Sequence, residues 1–221
     1  MRPFFLLIVL LLSGCDNNGD DTPTDPGEST LSACDLFPLT VGNRWTYIGM
    51  KNGEMEAEEI REIVCDTTLL NRKCYRMEYD FHLASGLVEL TKYYSYQSDT
   101  IFWNHGHENS WFKMNEFLGF PEANEGDTIH QSEYRDHDYF ENSVYIVHQK
   151  YASINLEAGV FDSCYVVKIE RIKGANSNIE NRDVFYDYYA IGIGFIYEEW
   201  TRTSGDVQDV EEWELQTYDI R

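Results

Sequence analysis

The sequence predicts an all-β protein, an antiparallel meander curled into a barrel, a half-barrel or a sandwich. Three observations lead there. Apolar residues recur with a period of two along most of the chain, which is the mark of half-buried strands. Aromatic residues make up 15% of the sequence, 16 of them tyrosines, and residues of this type favour strands. Glycine- and asparagine-rich turn signals punctuate the chain between the strand-like runs.

The elements follow in order. Residues 44–50 read as a first strand, and Lys51-Asn52-Gly53 as a tight hairpin turn, because Asn-Gly accepts the positive φ of a type I′ turn. Residues 54–64 are rich in Glu and have fair helical propensity, yet Met55, Ala57 and Glu59 alternate, so the segment is assigned to a strand. A turn is expected between Asp66 and Lys73. Then Met77, Tyr79, Phe81 and Leu83 alternate with charged or polar residues, giving a strand with one wet face. Further strands are expected at 87–97, 99–104, 110–114, 143–154, 165–170, 183–190, 194–203 and 212–217. Turn signals stand at Lys173-Gly174-Ala175-Asn176 and Ser204-Gly205-Asp206. No helix longer than about two turns is expected, and there is no repeat of fixed length. So many strands cannot remain a flat open sheet, hence the predicted curl.

The start of the chain carries an address. Arg2 precedes the apolar run Phe4 to Leu12, followed by Ser13-Gly14-Cys15. Spanning a hydrocarbon core of about 30 Å takes roughly 20 apolar residues, so this run is a signal peptide rather than a transmembrane helix. The small residues before Cys15 resemble the lipobox of bacterial lipoproteins. That resemblance implies cleavage after residue 14, diacylglycerol on the Cys15 thiol, and up to three acyl chains, palmitate among them. More than one chain is what stable anchoring requires. Residues 15–33 hold Asp, Asn, Gly, Thr, Pro and Ser with no large apolar residue before Leu31, which describes a disordered acidic tether. The glycine spacing does not suit a calcium loop. Residues 34–221 are expected to form one β-rich domain.

With 17 Lys+Arg against 39 Asp+Glu, the net charge is −22. A field of that sign repels phosphate backbones, so nucleic-acid binding is excluded. Once Cys15 is lipidated, Cys34, Cys65, Cys74 and Cys164 remain, and an even number in an exported chain permits disulfides. Cys65 with Cys74 across a hairpin, and Cys34 with Cys164, are the expected pairs.

Three segments carry a wider resemblance. Phe37-Pro38-Leu39-Thr40-Val41-Gly42-Asn43-Arg44-Trp45-Thr46-Tyr47 resembles the opening signature of a broad group of uncharacterised bacterial lipoproteins and secreted proteins. Ala158-Gly159-Val160-Phe161-Asp162 and Tyr189-Ala190-Ile191-Gly192-Ile193-Gly194-Phe195 are similar to that group's second and third signatures. The resemblance implies a β-rich fold and no assigned chemistry. Region 98–142 carries no such signature and is a candidate for ligand specificity.

The chemistry-bearing motifs are sparse. Asn104-His105-Gly106-His107-Glu108 is the one histidine cluster and reads as a solvated turn tip rather than a metal site. There is no H-E-x-x-H, G-x-S-x-G or P-loop motif. No catalytic residue, metal ligand or cofactor is expected. The densest aromatic patch, Trp103, Trp111, Phe112, Phe117 and Phe120, could face a ligand, and the loop Asn115 to Pro121 could equally plug one end of a barrel. The expected role is a lipid-anchored envelope protein on the periplasmic face or outer surface of a membrane. Its β-domain would be structural, or would bind a small apolar, glycan or protein ligand without catalysis. The alternative is a hydrolase acting on an envelope polymer. Convergent carboxylates in a cleft would favour the hydrolase, and an apolar Tyr/Trp-lined cavity the binder.

Overall fold

The computed structural model describes residues 32–97, 100–106, 111–114, 123–136, 139–175, 178–205 and 207–221. Cys15, the signal segment and the tether up to Leu31 lie outside the described residues. After one turn of helix, α1 (Ala33–Leu36), every further element among the described residues is a β-strand. The first half runs through β1 (Arg44–Lys51), β2 (Glu54–Leu69), β3 (Arg72–Leu83), β4 (Gly86–Gln97), β5 (Thr100–Asn104) and β6 (Phe112–Lys113). The second half runs through β7 (Thr128–Asp136), β8 (Tyr139–Leu156), β9 (Gly159–Ala175), β10 (Asn178–Ala190), β11 (Gly194–Ser204) and β12 (Val207–Asp219).

These strands form one antiparallel sheet in the order β6-β5-β4-β3-β2-β1-β12-β11-β10-β9-β8-β7. Two meanders therefore meet where the first strand pairs with the last. Strands β6 and β7 are its two edges and do not pair with each other, so the sheet is open and is not a closed barrel. The chain still has to pass from one edge to the other. From Lys113 to Thr128 it advances 15 residues, about 50–54 Å at full stretch. Twelve strands about 4.8 Å apart would make a flat sheet about 53 Å wide. Only a fully taut chain would span that, so any slack in the connection requires the sheet to bend.

Contacts across several strands record the bend. The Glu157 amide after β8 donates to Glu214 Oε1 on β12 at 2.7 Å, although three strands lie between them in the sheet. The rings of Phe161 on β9 and Tyr218 on β12 lie 6.1 Å apart. Bulges at Thr46/Tyr47, Gly49/Met50, Ile63/Cys65 and Tyr188/Tyr189 interrupt the ladders, and each adds local twist and bend.

The core fills the concave face. Tyr47, Ile63, Met77, Val147, Val167, Ile196 and Leu215 are all but inaccessible to solvent, each contributing about 1.5–3 kcal/mol through burial. The segment between α1 and β1 stoppers one end. Leu36 and Leu39 enter the core, Tyr96 donates its hydroxyl to the Phe37 carbonyl, and Gly192 donates its amide to the Asp35 carbonyl at 2.6 Å. This segment supplies a plug. The loop expected in that role, 115–121, lies outside the described residues.

The first and third signature segments meet here. Trp45 Nε1 donates to the Ile193 carbonyl at 2.7 Å, and the Tyr47 hydroxyl donates to the Phe195 carbonyl at 2.9 Å. Asn43 is wholly buried yet satisfied: Nδ2 donates to the Pro38 carbonyl at 3.0 Å, and Oδ1 accepts the Arg221 amide at 2.9 Å.

The turn expected across Asp66 to Lys73 is tighter, confined to Leu70 and Asn71 with φ of 51° and 60°. That turn sets a register in which Thr67 faces Cys74 and Cys65 faces Arg76. The two cysteines therefore stand diagonally, where Cα atoms are about 7–8 Å apart, beyond the usual disulfide reach of about 6.8 Å. Cys65 and Cys74 are free thiols, and so is Cys164, whose Sγ donates to the Phe161 carbonyl at 3.5 Å. Both expected disulfides are corrected by this arrangement. Of the turn expected at 173–176, Lys173 to Ala175 instead continue β9, and Asn176 lies outside the described residues. Strand β7 had no counterpart in the sequence reading.

Candidate functional site: a cleft on the concave face

Residues directly opposite each other in an antiparallel pair share a face. The pairs Tyr47–Glu59, Glu59–Phe81 and Arg61–Tyr79 therefore put these side chains on the concave surface. On the other side of β1, Gly49 faces Trp213, and Trp213 faces Glu198, which faces Asp187. A cleft of about 390 Å³ opens among them. Its walls are aromatic, from Phe37, Tyr79, Phe81, Tyr94, Phe195 and Trp213, and its polar groups are Glu59, Arg61, Lys92 and Glu198.

The floor is an ion pair. Arg61 Nε and an η-nitrogen donate to the two carboxylate oxygens of Glu59 at 2.9 and 2.8 Å. Glu59 is only 2% exposed. The guanidinium lies over the rings of Tyr47, Tyr79 and Phe195 at 4.3, 5.5 and 5.0 Å from their centroids. Burial works against the Arg61 charge, but Glu59 and the surrounding phenols outweigh it and hold the group protonated. Burial likewise pushes the Tyr79 phenol well above its usual range, with Tyr94 adding to the effect. The Tyr79 and Tyr94 hydroxyls hydrogen-bond to each other.

Glu198 differs from Glu59. Burial raises its carboxyl above the ordinary carboxylate range, while a hydrogen bond with Asp187 and the charge of Arg61 pull the other way. The cleft thus holds one carboxylate locked to a guanidinium and one biased towards its protonated form. Environments of that kind are how two carboxyls come to differ in role.

Trp213 bounds the cleft on one side. A Cβ added to Gly49 would stand 2.9 Å from its ring, so the indole lies directly on the glycine. It reaches across Ala57 to meet Phe81 edge-on, with centroids 6.3 Å apart. Only a glycine at 49 leaves room for the indole there.

Of the aromatic residues singled out from the sequence, Trp103, Trp111 and Phe112 do not line this cleft. Trp103 packs at the margin of the core, 5.1 Å from Phe112 and 4.6 Å from His105 between ring centroids. Lys92 links it to the cleft, with Nζ 4.9 Å from the Tyr79 ring and 5.5 Å from the Trp103 ring. Trp111 shares Arg72 with Phe102, at 5.1 and 4.3 Å, and Phe102 points to the opposite face from Trp103. Phe117 and Phe120 lie outside the described residues. No group of three or more His, Cys, Asp or Glu among the described residues could hold a metal ion.

No protein-family model and no curated protein matches the chain. Two solved structures do resemble it. A provisionally assigned lipoprotein from Parabacteroides distasonis ATCC 8503 superimposes with a TM-score of 0.56 at 15% identity, over 87% of this chain and all of the other. A provisionally assigned exported protein from Bacteroides fragilis NCTC 9343, described as having a YmcC-like fold, gives a TM-score of 0.57 at 14% identity, over 83% of this chain and 98% of the other. The fold is YmcC-like. Within it, the sequence search for motifs overlooked Glu59, Arg61, Glu198 and Trp213. The available signal was the alternation Ala57, Glu59, Arg61, which places charge on a core-facing row.

Proposed function

We propose that this chain is a lipid-anchored protein of the bacterial envelope, cut ahead of Cys15, whose concave cleft binds a hydroxyl-rich ligand of the saccharide class. The anchor reading rests on the Ser13-Gly14-Cys15 lipobox. It is in keeping with the lipoprotein and exported-protein assignments of the two structural neighbours, and with the group signatures at 37–47, 158–162 and 189–195. The observation that carries the ligand class is the lining of the cleft. Aromatic rings offer stacking surfaces for the C–H faces of a sugar, while Arg61, Glu198 and Lys92 offer donors and acceptors for hydroxyls above the buried Glu59. A purely hydrocarbon ligand would strip water from these charged groups without offering them hydrogen bonds in return, which is costly.

One observation favours a second reading, a hydrolase acting on an envelope glycan: the raised Glu198 carboxyl stands in the same cleft as an ionised Glu59–Arg61 pair. Titration of envelope oligosaccharides, followed by Trp fluorescence and then by product analysis, separates the readings. Saturable quenching with intact oligosaccharide recovered supports the binder. Cleavage that disappears in Glu198→Gln supports the hydrolase, and neither signal across the set rejects both. For the anchor, Cys15→Ser should lose labelling by fatty-acid analogues; a normally labelled variant would sink it.

A further inference from the structure

On the far side of Trp213 lies a second hollow of about 440 Å³, bounded by Gly49, Met55, Ala57, Leu83 and Trp213 itself. Its character is the reverse of the cleft's. Of its two carboxylates, Glu56 and Glu211, the latter is paired with Lys51 at 3.3 Å. The apolar surface extends outward along the end of the β3–β4 hairpin. Register places Leu83 opposite Ala57, Val88 opposite Phe81, and Leu90 opposite Tyr79, so all three share the concave face with the cleft. Met55, Leu83, Val88 and Leu90 are 66%, 39%, 43% and 45% exposed. A row of large aliphatic side chains on an inward-facing surface, left to water, needs an occupant.

The wall between the two compartments is one indole. Trp213 lines both hollows, seated on Gly49 and touching Phe81. A ligand that fills both must be polar at one end and apolar at the other. The rim comprises a few side chains, far short of the roughly 20–30 residues a side of a stable protein interface. A second copy is therefore a poor occupant. A net charge of −22 also opposes an anionic head.

We propose that the ligand is a neutral glycolipid-type amphiphile, its saccharide in the cleft and its alkyl chain laid past Trp213 onto Met55, Leu83, Val88 and Leu90. The proposal rests on the saccharide reading above for its head, and on the rim alone for its tail.

The test uses maltose and n-octyl, n-decyl and n-dodecyl maltosides below their micelle concentrations, titrated against the mature protein with Trp fluorescence as readout. Affinity is expected to rise about two- to fourfold for each added methylene, as partial to full burial of the chain implies. Leu83→Asp/Leu90→Asp changes exposed positions, so the variant should melt like the native protein, bind maltose as well as it does, and lose the dependence on chain length. Maltose binding without any gain from the chain overturns the tail site and leaves the saccharide reading standing. Alkyl phosphocholines that bind as tightly as the maltosides of the same chain length overturn the glycolipid assignment, since the head would then be immaterial; the saccharide reading still stands or falls on maltose alone. No binding by any of the four rejects both. Self-association abolished by the double variant would show that the rim is a dimer contact and would likewise overturn the proposal.

Discussion

Replacing Arg61 by methionine removes a cation and keeps most of the volume beneath Tyr47, Tyr79 and Phe195. What remains is Glu59, 2% exposed and without the two hydrogen bonds of 2.9 and 2.8 Å that hold it. Breaking a buried pair on one side costs about 3–5 kcal/mol, because a charge is left uncompensated. For a domain of this size each kcal/mol lowers the melting temperature by about 2–4 °C, so Arg61→Met should melt about 6–20 °C below the native protein. Replacing both partners, as Glu59→Leu/Arg61→Met, removes the stranded charge and should recover most of the loss. Thermal and urea unfolding followed by circular dichroism would measure both. A single variant within about 2 °C of native would refute the reasoning, as would a double variant no more stable than the single one. Either result would mean that the Glu59–Arg61 pair is not the desolvated floor of the cleft.

Three further outcomes follow from the geometry. Because burial raises the Glu198 carboxyl above its ordinary value of 4.5, folding favours its protonated form; that contribution is complete below about pH 4.5 and is lost as pH rises through the folded value. Glu198→Gln, which keeps a neutral side chain facing Asp187, Arg61, Glu59 and Glu211, should therefore be more stable than the native protein at pH 7. The gap should close near pH 4, and urea curves that coincide at both pH values would contradict it. Cys65, half-buried, should react with maleimide before the buried Cys74 and Cys164; burial also pushes the Cys164 thiol up to about 11. Reductant should leave the melting temperature unchanged, and a drop would restore a disulfide. Gly49→Val should drive Trp213 off its seat, since even a Cβ there stands 2.9 Å from the ring; overpacking of this kind costs about 1–3 kcal/mol. The near-ultraviolet dichroism of the indole should change, and an unaltered spectrum would mean that Trp213 does not rest on that glycine.

Local pattern in the sequence determined a good part of this fold. The alternation Met77, Tyr79, Phe81, Leu83 became β3, and Asn52-Gly53 became a hairpin turn with both φ values positive, 50° and 81°. Pairing between chain neighbours needs only period and turn chemistry, and both are local properties. Strand β7 was illegible for the same reason: as an edge strand its residues Gln131 to Arg135 are exposed on both faces, so no alternation marks it. The cysteine pairing failed because a two-residue turn, rather than eight residues of loop, set the register, and one residue of register decides which side chains meet.

Tertiary structure alone decided the junction of β1 with β12, the bend of the sheet and the cleft that the bend encloses. Glu59, Arg61, Glu198 and Trp213 come from three strands, up to 154 residues apart in the chain. In the sequence, Glu59 and Glu198 are two acidic residues among 39. Nothing in their immediate neighbours says that one will be buried against a guanidinium and the other pressed towards its neutral form. Those properties arise from desolvation and from charges brought close by non-local pairing, which a local pattern does not encode.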